Sequence, residues 1–154
     1  MLELSVVIPA FNAADTLPEL LASLAPQCSD TIEVIVVDDA STDGTADLAA
    51  AYPWVRWLTQ AANRGVGAAR NRGADAASGE LLLFLDADTV ATPQLLARVI
   101  AFFGEHPDID AASGTYAERN PGSGRRAFAR FLDASESVMR EDALDGPAPG
   151  TLSG

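Results

Sequence analysis

Apolar stretches alternate along this chain with stretches of helical periodicity, at the spacing of successive strand–helix units. The run Leu4-Ser5-Val6-Val7-Ile8 is rich in β-branched side chains. It predicts a strand that ends at Pro9, because proline cannot donate to a sheet ladder. Leu17, Leu20, Leu21 and Leu24 recur at helical intervals, with Asp15 or Thr16 to cap the helix and Pro18 suited to its first turn. Residues 32–37 are almost wholly apolar, as a parallel strand covered on both faces should be.

The pattern then predicts a second helix from Asp43 to near Pro53 and a short strand over 54–58. A third helix opens through the Gly- and Arg-rich stretch 63–73 and runs to Ala77, where Ser78 and Gly79 end it. Residues 80–85 predict a fourth strand. Thr92 and Pro93 lead into a helix carried by Leu95, Leu96, Val99, Ile100 and Phe103, and residues 109–116 predict a fifth strand. Beyond a loop at 120–124, residues 125–140 read as an amphipathic helix with Phe128, Phe131, Leu132 and Val138 inward. Residues 145–154 are Gly- and Pro-rich and without period. The alternation predicts an α/β fold: a doubly wound, mostly parallel sheet with helices on both faces. Ligands of such folds bind beyond the carboxyl ends of the strands, which here selects residues 9–12, 38–43 and 86–88.

Composition narrows the function. With 154 residues, 48% hydrophobic and 21% charged, the chain suits one globular domain rather than a disordered or disulfide-stapled one. Ten basic against twenty-two acidic residues leave a net charge of -12, which repels polyanions and argues against nucleic-acid binding. A small anionic ligand would need local help from arginines, helix N-termini or a metal ion. Every basic residue is arginine, so lysine Schiff-base chemistry and a P-loop lysine are excluded. Cys28 is the sole cysteine and cannot form an internal disulfide or a thiolate cluster, which fits a reducing, cytoplasmic setting. His106, the sole histidine, sits beside Pro107 and reads as a solvated helix-end residue. No basic leader precedes the first strand, and the apolar runs are too short to span a membrane.

Asp86-Ala87-Asp88 follows the apolar run 81–85 directly. In an extended segment, side chains two apart project to one side, so both carboxylates can converge on a divalent cation that bridges a diphosphate. An isolated pair of this kind equally suits a turn or a helix cap. Asp38 and Asp39 end the second strand facing opposite ways. One can meet a ribose or base while the other ties the loop through Ser41 and Thr42. Residues 63–71 contain a Gly-x-Gly, yet Arg70 stands where a dinucleotide fingerprint has its third glycine, and the first strand exits through Pro9-Ala10-Phe11-Asn12 with no glycine at all. A dinucleotide-dependent oxidoreductase is therefore the weaker reading. Small residues there let the helix start pack closely while Arg64 or Arg70 reaches a phosphate or the carboxylates. Phe11 can stack on a nucleobase, although a lone aromatic is more often core.

The four motifs at 5–12, 33–45, 63–73 and 86–88, in that order, closely resemble the nucleotide-binding half of family 2 glycosyltransferases of the GT-A fold over about residues 4–110. The resemblance implies that Pro9, Ala10 and Phe11, with Asn12 at their end, line a nucleobase pocket and that Asp39 contacts the base or its ribose. Asp86 would contact the ribose or donor sugar, with Ala87 between it and Asp88, which would ligate Mg²⁺ or Mn²⁺ on the diphosphate. Arg64, Gly65 and Arg70 would support the donor. The implied partners are a nucleotide-diphosphate sugar and a carbohydrate or lipid-linked acceptor, whose hydroxyl attacks the anomeric carbon, usually with inversion.

On this reading residues 1–118 form the nucleotide-sugar-binding core and 119–154 begin an acceptor-side region. Family members carry the general base on an acid well downstream. Glu136, Glu141 and Asp142 occupy late positions, but all fall on faces or ends of the predicted 125–140 helix, so no base is assigned. Only sixty-six residues follow Asp88 (154 minus 88), none of them tryptophan, and residues 151–154 resemble the approach to the family's next strand. The expectation is a chain cut before its acceptor half. It is a transferase, or alternatively a donor-binding fragment inactive for want of the base, cytoplasmic and membrane-associated in a longer form. Oligomeric state leaves no mark on the sequence.

Overall fold

Strand β1, Leu4–Ala10, is buried at every position, and the fold is built outward from it. Helix α1 (Leu17–Leu24), strand β2 (Ile32–Asp38), strand β3 (Arg56–Thr59), helix α2 (Val66–Ala76), strand β4 (Leu81–Phe84) and helix α3 (Leu95–Glu105) follow in order. The computed structural model describes residues 2–118, with side chains through Gly114, and the strand segments Arg126–Arg130 and Val138–Met139. Strands β1 to β4 form one all-parallel sheet in the order β3-β2-β1-β4.

Helices cover both faces, as the alternating pattern predicts. On one face Leu17, Leu20, Leu21 and Leu24 of α1 and Leu95, Leu96 and Val99 of α3 pack against Val6, Ile8, Val34 and Val36. Each fully buried leucine contributes about 2 kcal/mol of burial. On the other face Ala69 of α2 packs against Ile35 and Val37. The close approach of α2 is made at Gly73, where a Cβ would lie 2.3 Å from Val7 Cγ1, and not at Gly67, where it would meet nothing within 4 Å. Close packing therefore falls in the body of α2 rather than at its opening, where the sequence suggests it. Because α2 spans β1 and β2, Leu82 and Phe84 of β4 remain exposed.

Pro9 does not end β1. Backbone groups alternate between the two neighbours: Asp39 N–H donates to Ala10 C=O on the β2 side, and Leu85 N–H donates to Val7 C=O on the β4 side. Strand β4 ends at Phe84, so the donor that Pro9 lacks would point where no strand remains to accept from it.

Three further expectations change. Thr16 is the N-cap residue of α1 but makes no side-chain cap bond. The second helix contracts to a 3₁₀ turn, Ala46–Ala50, because Pro53 bars Tyr52 from helical geometry and too few residues remain to nucleate an α-helix. The fifth strand is split into β5 (Ala111–Ala112) and β6 (Thr115–Glu118), interrupted at Ser113 and Gly114.

The 125–140 helix is replaced at both ends by strands β7 (Arg126–Arg130), antiparallel to β6, and β8 (Val138–Met139), antiparallel to β5. Residues 126–130 alternate large and small with a period of two, which serves a strand. Phe131 and Leu132 lie outside the described residues. Among those described, no helix is long and apolar enough to cross a membrane.

Candidate functional site at the tips of the sheet

Two loops leave the carboxyl ends of β1 and β2 and are laced to each other. Asn12 N–H donates to Ser41 Oγ (2.9 Å) and Asn12 Oδ1 accepts from Thr42 N–H (2.8 Å). Ala13 N–H donates to Thr45 Oγ1, and Ala14 N–H to Asp43 Oδ2. Asp43 Oδ1 also accepts from the Thr45 hydroxyl and N–H. The hydroxyl bond is the largest influence holding the Asp43 carboxyl below its ordinary range. Asn12 (φ 50°) and Ala40 (φ 59°) adopt left-handed backbone that turns each chain back. Asp38 Oδ1 accepts from Ser41 N–H (3.1 Å), so Asp38 is the acid that ties this loop, through Ser41 and not through Thr42, which bonds Asn12 instead.

Asp39 faces the other way and is 3% exposed. Its Oδ1 accepts from Gln60 Nε2 (2.7 Å) and Arg64 N–H (2.8 Å), and its Oδ2 from Gly65 N–H (2.7 Å). The carboxylate thereby pins the loop that starts α2. Gly65 has φ 87°, a conformation that strains any side chain. Between the loops lies a cavity of about 260 Å³ lined by Pro9, Ala10, Phe11, Asp39, Asn63, Gly65, Val66 and Ala69. Phe11 is 49% exposed there, so it is not a core residue.

One residue along α2 from Ala69, Arg70 Nη2 lies 2.7 Å from Asp86 Oδ1. Asp86 stands two residues past the end of β4, and its carbonyl accepts from both Thr89 N–H (3.1 Å) and Thr89 Oγ1 (2.7 Å). These bonds turn the chain at Ala87 and Asp88. The extended geometry expected for the Asp86-Ala87-Asp88 pair does not occur, and strand alternation does not align its carboxylates. Asp88 is exposed, with no hydrogen-bond or ion-pair partner among the described residues.

Among the described residues no cluster of three or more His, Cys, Asp or Glu is placed to hold a metal. Asp86 and Asp88 do not make a closed protein cage. Such a donor set fits a hard divalent cation that keeps waters and takes its remaining oxygens from phosphates.

The structure thus gathers Pro9, Ala10, Phe11, Asp39 and Gly65 around one cavity. Asn12, Arg64, Arg70, Asp86, Ala87 and Asp88 are not in its lining: Asn12 serves the loop lacing, and Arg64 contributes its backbone to Asp39. Gln60, Asn63, Val66 and Ala69 belong to the site and escape the sequence reading. The one signal for Gln60 is its place two residues past the strand predicted over 54–58, near where ligands of such folds gather. Glu136, Glu141 and Asp142 lie outside the described residues. Burial pushes the Cys28 thiol up, which makes it a poor nucleophile.

Residues 5–147 match the family model described as glycosyl transferase family 2. The chain is 42% identical over 100 residues to the succinoglycan biosynthesis protein ExoO of Rhizobium meliloti, covering 64% of this chain and 29% of that protein. It is 40% identical over 121 residues to a PGL/p-HBAD biosynthesis glycosyltransferase of Mycobacterium bovis, covering 75% and 47%. Among solved structures it resembles S. aureus TarS 1-349 in complex with UDP-GlcNAc (TM-score 0.65, 35% identity, 69% of this chain and 32% of that one). It also resembles the mannosyltransferase PcManGT of Pyrobaculum calidifontis in complex with GDP-Man and Mn²⁺ (TM-score 0.68, 28% identity, 77% and 36%). The chain spans between 29% and 47% of the length of these two curated relatives.

Proposed function

The chain belongs to glycosyl transferase family 2, and from that premise we propose that the tips of its sheet bind a nucleoside-diphosphate sugar whose sugar passes to an acceptor hydroxyl. The observation that carries this reading is the cavity at Pro9, Ala10, Phe11 and Asp39, with the Arg70–Asp86 pair one residue along α2 from its wall. A nucleobase needs apolar surface for its faces and a fixed polar atom for its edge, and a diphosphate needs a cation close by. Relatives solved with UDP-GlcNAc and with GDP-Man and Mn²⁺ support the same ligand class.

In this reading Pro9, Ala10 and Phe11 line the base pocket, and Asn12 keeps its rim in place through Ser41 and Thr42. Asp39 accepts a hydrogen bond from the base or its ribose. Arg64, Gly65 and Arg70 support the donor, and Asp86 meets a ribose or sugar hydroxyl. Asp88, set by Ala87 at the turn, would hold Mg²⁺ or Mn²⁺, with water and diphosphate oxygens completing the shell. When bound, such a cation offsets charge on the departing diphosphate. Residues 1–118 act as the donor-binding unit and 119–154 open the acceptor-side region. The acceptor is a carbohydrate or a lipid-linked glycan, attacking with inversion at the anomeric carbon.

The test is calorimetric titration of UDP and GDP into the full chain, with and without Mn²⁺, beside Asp88→Ala. Saturable binding is expected, and the variant should lose about tenfold or more in affinity in the presence of Mn²⁺. Equal binding by the variant in Mn²⁺ overturns the metal assignment; no binding of either nucleotide overturns the donor site. Product formed from a nucleotide sugar separates transfer from donor binding alone.

A further inference from the structure

We propose that Gln60 is a positioning residue that sets nucleobase selectivity: its side-chain amide holds the Asp39 carboxylate so that Oδ1 is saturated within the protein and Oδ2 keeps an open acceptor site. The proposal rests on the cavity being the nucleotide site.

Gln60 stands one residue past β3, where its N–H donates to Asp38 C=O (2.8 Å) and continues the β2–β3 ladder beyond Thr59. The backbone is thus fixed against the residue that precedes Asp39. Gln60 is 6% exposed, and its Nε2 reaches Asp39 Oδ1 at 2.7 Å. An ionised carboxylate offers about four acceptor sites. Arg64 N–H and the Gln60 amide occupy the two on Oδ1. On Oδ2, Gly65 N–H is the one donor among the described residues. The remaining capacity therefore belongs to Oδ2 of a side chain that lines the cavity.

Such an oxygen can only accept. It rewards a base that presents an imino N–H and penalises one that presents a ring acceptor at the same place, since two facing acceptors leave both unsatisfied. Arg64 and Gly65 contribute backbone donors from a surface loop, whereas Gln60 is anchored in the sheet. Loss of its amide opens one acceptor site on Oδ1, where Arg64 N–H remains, and leaves the carboxylate held by two loop N–H groups alone, so that either oxygen can be presented to the base.

The experiment compares the full chain with Gln60→Met, which keeps the shape and removes the donor. Affinities are measured for UDP against CDP and for GDP against ADP, each pair differing in the imino N–H, together with melting temperature. The wild type should favour the imino-bearing member of one pair. Gln60→Met should lose about tenfold for that nucleotide and far less for its counterpart, so the ratio collapses. In Gln60→Glu the introduced carboxyl regains a donor only when protonated, so its affinity relative to wild type should recover as pH falls while that of Gln60→Met stays flat. An unchanged ratio in Gln60→Met with a flat profile in Gln60→Glu overturns the proposal and leaves Gln60 a packing residue. A wild type that binds but does not discriminate within either pair also overturns it. A wild type that binds none of the four overturns the cavity reading itself, and this proposal with it.

Discussion

Arg70 and Asp86 meet end to end, Nη2 to Oδ1 at 2.7 Å, across the gap between α2 and the turn that follows β4. Their side chains are 40% and 36% exposed. At that exposure solvent screens the pair, and its worth to the fold is about 0–1 kcal/mol. Its placement says more than its strength, because it sets a guanidinium against the Asp86 carboxylate, two residues before Asp88, in a protein of net charge -12. Arg70→Ala is expected to change the unfolding free energy by less than about 1 kcal/mol while weakening UDP affinity by about tenfold. Urea melts and calorimetry check the two halves separately. A stability loss with unchanged affinity would make the pair a structural tie.

The lacing of the two loops carries a pH signature. The Asp43 carboxyl is held below its ordinary value of 3.8, first by the Thr45 hydroxyl; desolvation opposes this as the next-largest influence, and the N–H groups of Ala14 and Thr45 add smaller downward contributions. A depressed folded-state pKa stabilises the fold wherever the unfolded chain's carboxyl would also be ionised, and that contribution fades as pH falls through the folded value. Asp43→Asn should therefore lower the urea midpoint at neutral pH, and the gap from wild type should close as pH drops well below 3.8. A gap that stays constant with pH would show that the charge of Asp43 plays no part in the lacing.

The division of labour between Asp38 and Asp39 is legible in the sequence because side chains alternate at a strand end: one does tie Ser41 and the other does open onto a cavity. Strand β2 is legible for a similar reason, since a parallel strand buried on both faces reads as a continuous apolar run. The role of Gln60 is not legible. It depends on the register that sets Thr59 beside Asp38, and register between parallel strands leaves no local trace. The mutual placement of Asp86 and Asp88 is hidden too, because Thr89 turns the chain with two bonds to a single carbonyl. In 126–130 the two-residue alternation competes with the helical spacing of Phe128, Phe131 and Leu132, and pairing with β6 decides the outcome.

Two glycines of α2 should respond to the same substitution with opposite signs. At Gly73 a methyl would sit 2.3 Å from Val7 Cγ1 and 3.2 Å from Val37 Cγ2. Valine is stiff at χ1 and cannot swing clear. Overpacking of this kind costs about 1–3 kcal/mol, against a helix-propensity gain of about 1 kcal/mol. At Gly67 the methyl meets nothing within 4 Å, so only the propensity gain remains. Gly73→Ala is expected to lower the melting temperature and Gly67→Ala to raise it. A stable Gly73→Ala would mean that α2 can lift off the sheet at little cost.

Ala40 offers a stabilising change at the edge of the site. Its φ of 59° places a side chain in left-handed backbone, which costs an L-residue about 1–2 kcal/mol relative to right-handed geometry. Glycine removes that strain but leaves the unfolded chain more conformational freedom to lose, an opposing effect of about 0.4–1 kcal/mol. The turn itself is held from both sides, by Asp39 N–H on Ala10 C=O and by Ser41 N–H on Asp38 Oδ1, and neither bond involves the Ala40 side chain. Ala40→Gly should therefore shift the urea midpoint upward by an amount worth about 0.5 kcal/mol, with the lacing to Asn12 intact. A downward shift would mean that the methyl group packs in the loop more favourably than its backbone angle is strained.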